Sequence, residues 1–197
     1  MTEAVLTAVR AHLVASLSGA TGPAPESASV TFLGLEPIDI LRFRAADGLT
    51  RFATLGCSRH PMGDPTATVA DPTRGPRAEL VLSLHRADGL TAGVHRSLAV
   101  LAALPAVEGV VLTADALLDV GEPLWEGAPF TAVLLQASDV SDLELPEPAD
   151  PVAFFDAVPI TANEAAWKRL RGADALRDAW AEAEIDVRDP ERAAARM

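Results

Sequence analysis

The apolar positions of this chain change period from place to place, and the changes mark its elements. Val5, Leu6, Val9, Leu13 and Leu17 recur at helical spacing, which predicts an amphipathic helix over 2–18 that Gly19 can close. Thr21–Ser29 is a Pro/Ser/Gly/Ala loop, and Val30–Leu33 is a short strand candidate. Asp39–Arg44 and Leu49–Leu55 are β-rich runs on either side of Ala45-Ala46-Asp47-Gly48, a strong hairpin signal. Leu41 and Phe43 share one face of the first run, Arg42 and Arg44 the other. Gly56–Pro76 carries prolines at 61, 65, 72 and 76 and reads as a long loop. Arg77–His85 is a strand with Leu80–Leu82 buried, and Asp88-Gly89 turns the chain.

The second half keeps alternating. Thr91–Leu104 sets Val94, Leu98 and Leu101 on one helical face, and Pro105 is expected to stop that helix. Val110–Val120 mixes apolar residues with Asp115 and Asp119 and fits strand or helix equally. Thr131–Gln136 is a strand and Ser138–Asp150 an acidic loop with prolines. Val152–Val158 is largely apolar on both faces, as a central strand is. Thr161 and Glu164 form a capping-box pattern at the next helix, which ends in Lys168, Arg169, Arg171 and Gly172. Ala173–Glu184 is a further helix with Leu176 and Trp180 at i, i+4, and the polar tail of about 186–197 should fray. No repeat or linker divides the chain. The expectation is one α+β domain over 1–197: a mixed, mostly antiparallel sheet with helices packed against it.

Composition adds compartment. Of 197 residues 49% are hydrophobic and 22% charged, an ordinary globular balance that can bury a core. One cysteine, Cys57, rules out an intrachain disulfide and fits a reducing, cytoplasmic setting. Glu3, Arg10 and His12 interrupt the N-terminal apolar run, so it reads as a helix and not as a signal peptide. No stretch has the length of apolar sequence a membrane span needs. One lysine against 15 arginines suggests a bacterial, GC-rich source.

Charge is segregated. Residues 1–98 hold nine acids and nine bases, so the net charge of −12 lies wholly in 99–197. Between Arg96 and Lys168 stand 12 acids and no Lys or Arg. Such a surface repels a phosphate backbone, which argues against direct nucleic-acid binding. It would attract and steer a basic protein, or it would serve only solubility. Asp139, Asp142, Glu144, Glu147 and Asp150 are the candidate contacts, in a loop whose prolines limit the entropy lost on binding. Trp125, set in Gly121-Glu122-Pro123-Leu124-Trp125-Glu126-Gly127, is a core anchor or a contact hot spot.

Catalytic and metal patterns are thin. Cys57 and His60 are three residues apart, a spacing that suggests a nucleophile and base but lacks any protease signature; a structural loop cysteine is the plainer reading. Gly56-Cys57-Ser58 is no nucleophile elbow, since His60 stands where the second glycine belongs. His60, Asp64 and Asp71 match no zinc spacing. His85 and His95 are expected to face solvent. No phosphate-loop or dinucleotide motif occurs, so no cofactor is implied. Arg74, Arg77, Arg86 and Arg96 form a solvated basic cluster or a clamp against the acidic half. Glu79 reads as a sheet-edge residue satisfied by an arginine or by backbone amides.

Three segments in order carry a resemblance: Leu55-Gly56-Cys57-Ser58, Glu79-Leu80-Val81, and Pro159-Ile160-Thr161-Ala162-Asn163-Glu164. They resemble the "yGLS" turn, "ELt" strand and late "Vpi-hydrophobic, T-x-x-E" passage of the suppressor-of-fused domain family, over roughly Val30 to Glu184. The resemblance implies a protein-binding module and not an enzyme. Animal members work with a second lobe and clasp an extended peptide as an added strand; no such lobe is expected here. No aromatic neighbours Leu55, and no tryptophan precedes the Thr91 helix, two departures from the pattern. Bacterial members resemble immunity proteins, which implies a basic toxin domain as partner. A scaffold or regulatory module with an extended-peptide partner is the alternative, and a Cys57/His60 hydrolase the second.

Overall fold

The computed structural model describes residues 2–18, 22–44, 47–63, 71–85, 87 and 91–195. The elements are α1 (Thr2–Leu17), β1 (Glu26–Val30), β2 (Ile38–Arg44), β3 (Leu49–Leu55), a 3-10 turn (Cys57–Arg59), β4 (Arg77–His85), α2 (Thr91–Glu108), β5 (Leu117–Asp119), β6 (Phe130–Ala137), β7 (Val152–Thr161), α3 (Ala162–Arg171) and α4 (Ala173–Glu182). Gly19, Ala45, Ala46, Asp64, Arg86 and the Asp88-Gly89 turn lie outside the described residues.

Among the described residues seven strands form one sheet in the order β1-β2-β3-β4-β7-β6-β5. Only β4 and β7 run parallel; the other neighbours are antiparallel, as an α+β chain with hairpin connections requires. The Asp47-Gly48 hairpin is present, with Arg44 opposite Thr50. β7 is central, and its alternate residues feed two cores. Ala157 joins Phe52, Leu80, Leu82, Leu98 and Leu101 under α2. On the opposite face Val152 and Phe154 meet α1 through Val5, Val9 and Leu13, while Val158 and Ile160 meet Leu176 and Trp180 of α4. Pro159 is tolerated because the β4 ladder ends at Asp156, so its missing N–H faces no partner strand on that side.

Several details differ from the sequence pattern. The first strand is Glu26–Val30, largely inside the segment expected to be a loop, and residues 31–33 are irregular. α2 runs through Pro105 to Glu108, held by the burial of Leu98, Leu101 and Ala102 on the sheet. Its stop is Gly109, whose φ of 68° and amide bond to the Pro105 carbonyl close the helix. Val110–Val120 is mostly irregular, with only the short β5 paired to β6. The tail does not fray over its described part. The His85 amide donates to the Arg188 carbonyl, and Arg192 and Ala195 are buried. His85 and His95 also have partners: Asp186 at 3.1 Å for His85, and for His95 the Phe52 ring in a T-shaped contact.

Candidate interaction surface

The acidic loop between β6 and β7 alternates inward apolar and outward acidic residues. Val140 is buried, and Leu143 and Leu145 pack against the cluster of Val5, Val9, Leu13 and Phe154. Leu143 and Val152 exchange both backbone hydrogen bonds at 2.9 Å. His12 of α1 stacks on Phe154, and its Nε2 lies 2.7 Å from the Ser141 carbonyl. These ties leave Asp139, Asp142, Glu144, Glu147 and Asp150 all exposed. Asp150 also accepts the Gly75 amide at 2.6 Å, which fastens the loop to the turn before β4.

Three other acids of the base-free stretch, Asp115, Asp119 and Asp156, are used differently. Asp115 meets Arg177 at 2.7 Å and Asp119 meets Arg169 at 2.6 Å, so cations from α3 and α4 fold back onto them. Burial raises the Asp156 carboxyl; Ser138 donates to it at 2.6 Å and pulls the other way, and Asp139 adds to the rise. Trp125 is only 3% exposed, so it is no surface hot spot. The Leu124 amide bonds the Phe130 carbonyl, and this turn carries the indole into the α2 core against Phe130.

The turn and strand motifs meet around Glu79. The β3–β4 ladder ends at Ala53 opposite Val81. Beyond it the Thr54 hydroxyl accepts the Leu80 amide and donates to Glu79 Oε2. Glu79 Oε1 accepts the Gly56 amide at 2.9 Å, the Ser58 amide at 3.0 Å and the Ser58 hydroxyl at 2.6 Å. Glu79 is therefore a fully buried residue of an inner strand, not an edge residue; it satisfies the amides the splayed strands leave behind. Gly56 is needed there. Its φ is 143°, and a Cβ would sit 3.2 Å from the Pro37 carbonyl. Arg77 is likewise buried, not solvated, and donates to the carbonyls of Ser58, Arg59 and Thr73, whereas Arg74 and Arg96 are exposed.

The proposed catalytic pair is not assembled. His60 Nε2 sits 2.7 Å from Glu36 Oε2. Burial first, and Glu79 second, push the Cys57 thiol well above its ordinary range, the wrong direction for a nucleophile. Asp71 accepts the Thr73 amide and hydroxyl and the Arg74 amide, bonds that hold its carboxyl at about 2 and show it shaping a turn. Among the described residues no group of three potential ligands converges on a metal position.

Sequence reading missed one buried ion pair. Arg192 from the tail reaches Glu164 with Nη1 at 2.7 Å and Nη2 at 3.0 Å, and bonds the Pro159 carbonyl at 2.8 Å. Its guanidinium lies 4.9 Å from the Phe130 ring centroid and 5.7 Å from that of Trp180. Glu164 also accepts the Thr161 amide, the Trp180 indole N–H and the Ala195 amide, so it serves the capping box and anchors the tail together. Nothing in the periodicity of the tail marks Arg192; the pairing spans 28 residues.

This geometry defines a seven-stranded α+β domain with a buried carboxylate hub and a docked C-terminal segment. Residues 34–193 match the family model of the suppressor of fused protein, and the chain belongs to that family. Solved structures share the fold, among them the following three. A suppressor-of-fused homologue from Neisseria gonorrhoeae FA 1090 is 17% identical with a TM-score of 0.68, over 99% of this chain and 98% of that one. The Sufu–Fu complex is 13% identical with a TM-score of 0.68, over 96% and 91%. Drosophila Suppressor of Fused is 13% identical with a TM-score of 0.66; the match covers 96% of this chain and 50% of the Drosophila one. No curated protein matches at the level of sequence. Among the described residues no helix is long and apolar enough to cross a membrane.

Proposed function

We propose that this chain is a non-enzymatic partner-binding module whose partner is a basic protein, and that it acts as an immunity protein by capping a basic toxin domain. The supporting observation is the acidic loop. Five exposed carboxylates project from a segment whose apolar residues are anchored on α1, so the charge is held in place before a partner arrives. Fixed carboxylates can occupy the positions that nucleic-acid phosphates would take on a basic enzyme, and they speed encounter. That a fold relative is a complex of Sufu with Fu supports protein binding as the mode.

The test is association kinetics with a basic toxin domain encoded beside this chain, across ionic strength. Asp142→Asn/Glu144→Gln/Glu147→Gln should slow association and flatten its salt dependence, with the urea midpoint barely moved. Equal rates and salt slopes for the two proteins would exclude this loop. A second reading, an extended peptide added as a strand, is favoured by β1, which pairs with β2 on one side only and is exposed or half-exposed along its length.

A further inference from the structure

We propose that the groove between the 31–37 loop, the 57–62 segment and the C-terminal turn of α2 receives an apolar side chain of a protein partner, with a lysine or arginine next to it in the same segment. The inference rests on the reading of the chain as a partner-binding module.

The groove encloses about 250 Å³ and is lined by Leu35, Ile38, Cys57, Met62, Ala103 and Ala106, among others. Its lips are unusual. Leu33, beside the groove-lining Gly34, is 106% exposed, and Val107, one turn beyond Ala103, is 62% exposed. Only one other large hydrophobic among the described residues, Leu170, is comparably exposed. Two solvated aliphatic side chains, each next in sequence to a residue that lines the groove, mark a place where a partner removes apolar surface from water. Met62 on the wall can adjust to the shape of the incoming side chain.

Charge selects the neighbour of that side chain. Glu36 stands at the rim, 53% exposed, with Arg59 Nη1 at 3.3 Å from Oε1 and His60 Nε2 at 2.7 Å from Oε2. The His60 bond, chiefly, lowers the Glu36 carboxyl below its usual range, so it is charged at neutral pH. Arg59 also lines the groove and donates to the Pro37 carbonyl at 2.8 Å, but its side chain is less exposed than that of Glu36, so the carboxylate is the more accessible charge. On the other lip α2 ends without a basic residue in its last turn, leaving the negative end of the helix dipole and exposed Glu108. A cation beside the apolar anchor meets exposed Glu36 and Glu108, whereas an acid finds its guanidinium partner, Arg59, less exposed and already paired. The groove also shares an end of the sheet with the acidic loop, since β2, β4 and β7 begin there and β3 ends there, with Asp150 bound to Gly75.

The test follows the methyl resonance of Met62, assigned with Met62→Leu, while short glycine/serine peptides carrying a central Leu-Arg, Leu-Asp or Ser-Arg are titrated in. The Leu-Arg peptide should give a saturable shift. Leu-Asp should bind about fivefold more weakly, and Ser-Arg should not saturate. Leu33→Ser/Val107→Ser, at solvated positions, should weaken Leu-Arg binding roughly tenfold, and Glu36→Gln should erase the Leu-Arg preference over Leu-Asp. No saturable shift with Leu-Arg, or an equal response to Ser-Arg, overturns the proposal. Asp142→Asn/Glu144→Gln/Glu147→Gln should leave peptide binding unchanged. If that variant loses the peptide while Leu33→Ser/Val107→Ser keeps it, the groove is excluded and the acidic-loop reading stands.

Discussion

Ser58 gives both of its donors to one oxygen of Glu79: the amide lies 3.0 Å and the hydroxyl 2.6 Å from Oε1. The contact joins the turn after β3 to the inner strand β4, where the ladder between those strands has already ended. In this chain the Leu55–Ser58 turn and the Glu79–Val81 strand segment are thus one structural unit, and its centre is a buried carboxylate.

Glu79→Ala strands the Gly56 amide, the Ser58 amide and two hydroxyls without their acceptor. A loss of roughly 3 kcal/mol or more is expected, since each buried donor left unmade carries its own desolvation penalty. Glu79→Gln keeps the shape but turns an NH₂ group toward donors, so it should fall between Ala and wild type. Urea melts with an unchanged slope check both. A Glu79→Ala midpoint equal to wild type would show that the turn finds other acceptors.

Arg192→Met should cost about 3–5 kcal/mol, because it leaves Glu164 buried without its cation. It should also change the response to acid. Burial raises the Glu164 carboxyl, but bonds from Arg192, the Thr161 amide and Trp180 outweigh it, and the net position is below the ordinary 4.5. A depressed folded value means that this stabilisation is complete above the ordinary carboxylate range and is lost as pH falls through the folded value. Stability measured from neutral pH downward should therefore drop less steeply in Arg192→Met than in wild type. Parallel pH curves would contradict this assignment.

The Thr161 hydroxyl accepts the Glu164 amide at 3.3 Å, and Glu164 accepts the Thr161 amide at 2.8 Å. Thr161→Ala should cost about 1 kcal/mol while partner binding is kept. Thr161→Ser should retain most of that stability, and a midpoint shift with Ser as large as with Ala would assign the effect to lost packing instead of the cap.

Cys57 packs partly buried against the α2 core. Cys57→Ser should leave the fold and partner binding essentially unchanged. Because burial and Glu79 hold the thiol well above its ordinary range, iodoacetamide should alkylate the native protein at neutral pH more slowly than a free cysteine. Rapid alkylation, or loss of a measurable activity in Cys57→Ser, would reopen the enzymatic alternative.

What the sequence determined by itself was local. The capping box at Thr161, the Gly172 stop, the Asp47-Gly48 hairpin and the helical face of Val94, Leu98 and Leu101 depend on residues a few positions apart, whose geometry is set by backbone and side-chain chemistry. The apolar character of both faces of Val152–Val158 likewise announced its central place in the sheet. Tertiary structure decided everything that rests on distant partners. Pro105 should have ended α2, yet packing on the sheet outweighs one lost hydrogen bond. Trp125, flanked by acids, fitted a core anchor or a contact hot spot, and the turn that returns to Phe130 decides for the core. Arg192, in a tail without pattern, is buried because Glu164 waits 28 residues away with two aromatic rings around it. Periodicity records which side of an element faces the core. It does not record which buried carboxylate a given arginine will find, because that pairing is fixed only when strands and helices distant in the chain close around both groups.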